Sequence, residues 1–213
     1  MKLYGRTTSF NVQKVLWLLE ELKISYTHTE LGGRFGGLDS PAFTQFNPMK
    51  KVPVLVDKDQ AVWESHVILR YLAASYGGEQ WYPACPYQRS LHERWMDWSQ
   101  CVLQPAFMAT FWGYYRKPCE KRDMVAVQQA LDTCLECIHV LETQLKDTDY
   151  LTGNTLSLAD IAVGSVLYRL TSQGLTVNLP RRVGLWYERI KLRPGYQHWI
   201  MSDFSELKAR EAY

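Results

Sequence analysis

The 213-residue sequence has little charge of either sign to spare: 24 lysines and arginines stand against 22 acidic residues, a net charge of +2. That balance removes the electrostatic case for a nucleic-acid partner or for docking on an anionic membrane surface. Cysteine is scarce too, five residues at irregular spacing. An odd count of this kind argues against a disulfide framework. No stretch approaches the roughly 20 apolar residues of a membrane span. Met1-Lys2-Leu3-Tyr4 runs into polar residues, not into the apolar core of a secretory leader. These absences leave the cytosol as the default compartment. The one Cys-x-x-Cys, Cys134 to Cys137, lacks a second pair, and His139 adds only one further candidate ligand. It reads as buried helix packing rather than a zinc site, and no metal is expected. Internal repeats and low-complexity tracts are also lacking.

Aromatic residues, by contrast, are many: eight tryptophans and thirteen tyrosines. Lys2-Leu3-Tyr4 reads as a short strand and residues 5–10 as a loop. Val12, Val15, Leu16, Leu19 and Leu22 form a helical stripe that Ser9 or Asn11 is placed to cap. Residues 24–29 read as a second strand, so the opening is a βαβ unit. Residues 31–47 are glycine-rich at Gly32, Gly33, Gly36 and Gly37, but their spacing fits neither a P-loop nor a dinucleotide fingerprint. They read as a flexible surface loop.

The stretch from Lys51 to Ser65 organises the rest of the chain. Val54–Val56 and Ala61–Trp63 read as a hairpin, although its turn, Asp57-Lys58-Asp59-Gln60, lacks the usual Asn-Gly or Asp-Gly pair. Ser65 reads as the N-cap of the next helix, and a helix start beside a sheet is an anion site. Gly77-Gly78 ends that helix, and a linker with Pro83 and Pro86 leads into an all-helical remainder. There Leu91, Trp95, Trp98 and Val102 form one stripe, and Val127, Leu131, Cys134, Ile138, Leu141 and Leu145 another. Ser157 and Asp160 are spaced as a capping box, with Leu156 and Ile161 as its staple. The expected domains are residues 1–78, a linker 79–87 and a helical domain 88–213.

Val52-Pro53 before a strand, Glu64-Ser65 opening a helix, and the serine–aspartate box, in this order, resemble the soluble glutathione S-transferase family, and specifically its serine-type, theta-like bacterial class. The resemblance covers the whole chain. It implies an α/β thioredoxin-like N-terminal domain followed by an all-α domain. It also implies glutathione as co-substrate, a small hydrophobic electrophile as its partner, and a homodimer. Carried over residue by residue, Pro53 is cis and Val52 pairs its backbone with the cysteinyl part of glutathione. Glu64 and Ser65 hold the γ-glutamyl end. Lys50 and Lys51 either meet the glycine carboxylate or form a solvated pair of charges. His66 reads as an exposed first-turn residue. Phe107, Met108, Phe111, Trp112 and Tyr115 form an aromatic stripe in the region that lines the family's co-substrate pocket, with Phe111 and Tyr115 assigned to the pocket itself.

The implied task is to hold glutathione's sulfur as a thiolate. A thiol of pKa about 8.5 is only about 3% ionised at pH 7, and a two-unit drop raises that to roughly 75% for about 2.7 kcal/mol. A helix dipole supplies about 0.3–1 kcal/mol and a hydrogen bond to a charged group about 1.5–3 kcal/mol, so a donor at the start of the first helix is needed. Ser9 is the first choice, Asn11 the rival and Thr8 the third. No cysteine lies in that loop, which excludes a redox thiol there. Two other readings remain: a non-catalytic glutathione-fold module, and a glutathione-dependent isomerase, dehalogenase or reductase.

Overall fold

The computed structural model describes residues 1–212 and divides into two compact units, Met1–Ala84 with Pro194–Ser202, and Cys85–Arg193 with Asp203–Ala212. In the first unit, β1 (Lys2–Tyr4), α1 (Phe10–Glu21) and β2 (Thr27–Thr29) make the expected βαβ unit with parallel strands. β2 is shorter than residues 24–29. Helix α1 ends with Lys23 in the left-handed region (φ 53°), where the Ile24 N–H donates to Leu19 O at 2.9 Å, and this closing turn uses up the residues ahead of the strand.

The glycine-rich connection is more ordered than a plain loop. It holds a single turn at Gly33–Phe35 and a short α2 (Pro41–Thr44) that buries Phe43. β3 (Val54–Asp57) and β4 (Gln60–Trp63) form the hairpin, and the sheet runs β2-β1-β3-β4, with β3 antiparallel to β1. Its turn places both Lys58 and Asp59 at positive φ (48° and 66°), the backbone that Asn-Gly usually supplies. Behind it, the Asp57 carboxylate accepts from the hydroxyls of Tyr71 and Tyr76, and these bonds pull its pKa down.

The N-terminal layer is completed by α3 (Ser65–Leu72), a wider helical turn to Gly77, and α4 (Gly78–Trp81). Leu3, Val15, Leu16, Trp17, Leu55, Ile68 and Leu69 are fully buried. The return segment 196–200 packs on α1: the Tyr196 ring meets Trp17 edge-on at 4.9 Å. Gly195 is required for this approach, because a Cβ there would lie 2.7 Å from Trp17 Cδ1.

The second unit is helical throughout: α5 (Pro86–Trp98), α6 (Gln104–Thr110), α7 (Met124–Gln144), α8 (Leu158–Gly164), α9 (Leu167–Ser172) and α10 (Arg181–Lys191). A wide turn at Ser99–Leu103 joins α5 to α6 just ahead of Pro105, whose missing N–H cannot continue a regular ladder. That turn rotates the helix face. Of the stripe expected from Leu91 to Val102, only Trp95 is buried and Val102 is 44% exposed. The serine–aspartate capping box forms as expected at the start of α8. Asp160 accepts from Ser157 N and Oγ, Leu151 N and Trp186 Nε1, all within 2.9 Å. Cys134 and Cys137 are buried free thiols on α7, as the packing reading has it, and burial pushes both up, Cys134 to about 11.

Candidate active site

Most of the assigned residues gather where β1, β3 and the starts of α1 and α3 meet, all within the first unit. Gly5 sets the geometry. With φ +143° and no side chain it lies against Val52; a Cβ there would be 2.9 Å from Val52 Cβ and 2.6 Å from Val12 Cγ2. The loop leading to Ser9 is thereby laid beside Val52. It is pinned at each step: Gly5 N donates to Thr29 O, Arg6 N to Leu31 O, Thr7 Oγ1 to Glu30 Oε1, and Gln13 Nε2 to Thr7 O at 2.8 Å. The buried Gln13 also donates to Ser202 Oγ.

Ser9 is the N-cap residue of α1 by backbone geometry (φ −83°, ψ 116°), yet its side chain makes no bond to the helix it precedes. The hydroxyl is thus not consumed in capping. Asn11 stands at the start of the same helix, partly buried. Its Oδ1 accepts from Lys14 Nζ at 3.0 Å and from Ser65 Oγ at 3.4 Å.

The Val52–Pro53 peptide is cis, as the resemblance implies, and Pro53 is buried. Val52 is partly exposed, and neither its N–H nor its C=O is taken by another described backbone group. An extended peptide can pair there like an added strand. The buried Asn47 shapes the approach, with Nδ2 donating to Lys51 O and Oδ1 accepting from Met49 N, both at 2.9 Å.

At the other end, Glu64 rather than Ser65 is the N-cap of α3, and Ser65 is its first helical residue, which corrects the sequence reading. The shift follows from Glu64's backbone. At φ 70° it sits in the left-handed region, which costs a non-glycine residue about 1–2 kcal/mol. Strain of this sort persists where a fixed geometry is needed. The first helical bond runs from Ile68 N to Glu64 O, so the opening N–H groups of α3 have no acceptor within the helix, and the dipole's positive end lies there.

Lys50 is also left-handed (φ 54°), and its Nζ is ion-paired with Asp39 at 2.8 Å; Lys51 is exposed. His66 is not an exposed first-turn residue. It is buried, 5% exposed, with Nε2 3.2 Å from Lys14 Nζ. The physical reason is helical phase: α3 turns Val67 outward and His66 inward toward α1. Lys14 itself is fully buried and also stands over the Phe10 ring at 4.7 Å. Burial brings its pKa from 10.5 down to about 7, with Glu64 pulling the other way. The sequence reading passed over Lys14, Gln13 and Asn47. Lys14 carried a signal, because it falls four residues after Phe10 and four before Leu18, inside an apolar stripe.

Phe111 and Tyr115 lie in the second unit, apart from this cluster in the chain, and are 2% and 9% exposed. Their rings stack on one another at 5.2 Å, Phe107 stacks beyond at 5.6 Å, and Phe204 closes the group at 4.9 Å from Tyr115. The Arg169 guanidinium lies 5.7 Å from the Phe111 ring. Among the described residues no cluster of three or more metal-ligating side chains forms.

Two family profiles match this chain: glutathione S-transferase, N-terminal domain, over residues 1–74, and glutathione S-transferase, C-terminal domain, over residues 124–200. The glutathione S-transferase GstB of Escherichia coli K12 is 34% identical over 205 residues, spanning 95% of this chain and 99% of that one. Glutathione S-transferase theta-1 of Rattus norvegicus is 31% identical over 178 residues, 81% of this chain and 74% of its own. Among solved structures, the theta class enzyme of the citrus canker pathogen Xanthomonas axonopodis pv. citri with glutathione bound superposes with a TM-score of 0.87 at 37% identity, covering 95% of this chain and 97% of that one. On full-length similarity and on both domain profiles, the chain belongs to the glutathione S-transferase family.

Proposed function

We propose that the protein is a glutathione transferase that binds the tripeptide along Val52 and attacks an apolar electrophile with its thiolate. The observation that carries this reading is the convergence, within one unit, of a partly exposed, unpaired backbone at Val52 just before a cis proline, a strained cap at Glu64 opening α3, and a serine at the head of α1 whose hydroxyl is not used for capping. In this reading Val52 pairs with the cysteinyl backbone, and Glu64 and Ser65 take the γ-glutamyl ends. Lys50 and Lys51 face the glycine carboxylate, Pro53 sets the shape, and the sulfur falls beside Ser9 and Asn11. Ser9 donates its O–H to S⁻ while the thiol proton leaves to solvent. Held this way, the nucleophile meets its partner without the entropy cost of a free encounter. Phe111 and Tyr115 are read as the inner wall of the electrophile's pocket, supported by their continuous aromatic stack. Five free cysteines suit a reducing, cytoplasmic setting, and the family's habit suggests a homodimer.

Ser9→Ala is the test, read as conjugation of an activated aryl chloride over pH. One lost bond to a charged sulfur lowers turnover about 10- to 100-fold and moves the ionisation of bound glutathione up by about one to two units. Parental turnover with a parental pH profile would remove Ser9 from the role.

A further inference from the structure

Lys14 is a cation buried under the site, outside the roles assigned to Ser9, Val52 and Ser65. Its ammonium does two things at once. It donates to Asn11 Oδ1 at 3.0 Å, and it faces His66 Nε2 at 3.2 Å, which puts the lone pair of a neutral imidazole at that nitrogen. An amide has one acceptor and two donors, set on opposite sides. With its oxygen engaged by Lys14 from below and by Ser65 Oγ from α3, the Asn11 side chain has a fixed orientation: oxygen inward, NH₂ outward. No described residue accepts from that NH₂, and Asn11 is partly exposed two residues beyond Ser9.

We propose that Lys14, braced by His66, is a positioning residue that locks the Asn11 amide with its N–H groups turned to the glutathione sulfur, making Asn11 a second thiolate donor beside Ser9. The proposal rests on the transferase reading and deepens it. Lys14 touches neither sulfur nor electrophile; it acts through Asn11. Its charge also lies beneath the place where the thiolate and the γ-glutamyl carboxylate are read to bind. Glu64 opposes its loss of charge from the start of α3, and His66 faces it from the same helix. On the return segment packed against α1, His198 faces Glu20 at 3.3 Å instead. Two bound negative charges therefore favour the protonated lysine, so glutathione binding and the amide lock reinforce each other.

The experiment tracks the ultraviolet absorbance of enzyme-bound thiolate over pH, alongside kcat and KM, in the full-length protein. Lys14→Met keeps the buried volume and removes the donor. It should raise the ionisation midpoint of bound glutathione by about one unit and cut kcat about tenfold below that midpoint, with KM for glutathione changed less. Asn11→Asp keeps an acceptor for Lys14 but replaces both N–H donors with oxygen, and should raise the midpoint further. Asn11→Ala combined with Lys14→Met should lose less than the two single losses added together. An unchanged midpoint in Lys14→Met, parental behaviour of Asn11→Asp, or additive losses in the double variant would each overturn the proposal. Should Lys14→Met fail to fold, parental behaviour of Asn11→Asp still overturns the proposal. A parent protein that takes up no glutathione would instead sink the transferase reading itself, which is a separate outcome.

Discussion

Asp160 and Lys14 are both fully buried ionisable side chains, one in each compact unit, and their surroundings treat them in opposite ways. Asp160 is met by four donors from three separate stretches of chain. Burial pushes its carboxyl up, and those bonds offset only part of that rise. Lys14 is met by an amide oxygen and an imidazole, while the opposing charge of Glu64 is too weakly coupled to keep its pKa from falling to about 7. The first arrangement joins α8, α10 and the turn at Leu151. The second ties the start of α1 to the start of α3 through Asn11 and His66. A buried charge ringed by donors holds its surroundings together, and one with few partners stays sensitive to what is placed beside it.

The comparison is broken most directly by Asp160→Ala. It strands four buried donors and should cost about 3–5 kcal/mol, read as a large drop in denaturation midpoint. A loss below about 1 kcal/mol would show that the aspartate is not structural. Trp186→Phe keeps an aromatic ring and removes one donor. It should cost about 1.5–3 kcal/mol, with binding of glutathione unchanged in calorimetry. Taken per unit of pH, the smallest effect sharpens the other side. Because Lys14 has a pKa of about 7 when folded and 10.5 as a free lysine, the native state binds fewer protons between those values. Stability of the parent relative to Lys14→Met should therefore rise with pH across that window, by about 1.4 kcal/mol per unit, and level off on either side. Denaturant melts at about one-unit steps within that window suffice, and equal shifts for both proteins would place the lysine's pKa elsewhere.

Much of the architecture was legible in the residues. The strand–helix–strand opening, the hairpin, the capping box at Ser157 and the order of the two halves each have a local cause, whether a period, a proline or a cap, that survives folding unchanged. What escaped was set by contacts distant in sequence. His66 read as exposed because first-turn polar residues usually are, and only the packing of α1 on α3 turns it inward. Ser65 read as a cap because serine favours that place; the strained backbone of Glu64 moved the cap back by one. The stripe through Val102 assumed an even helical pitch, which the wide turn before Pro105 breaks. Val52 and Pro53 were recognisable as a motif, but their closeness to the Ser9 loop depends on Gly5, which meets Val52 from far away in the sequence.

The return segment has a consequence for how the molecule comes into being. Trp17 finds its edge-on partner at Tyr196, and Gln13, which steadies the Thr7 carbonyl ahead of Ser9, finds its second acceptor at Ser202. A chain leaving the ribosome has made the whole thioredoxin-like sheet long before it has made either of those residues. The half that emerges first thus stays incomplete until nearly all of the chain is made, and the loop ahead of α1 acquires its final support only as translation nears its end.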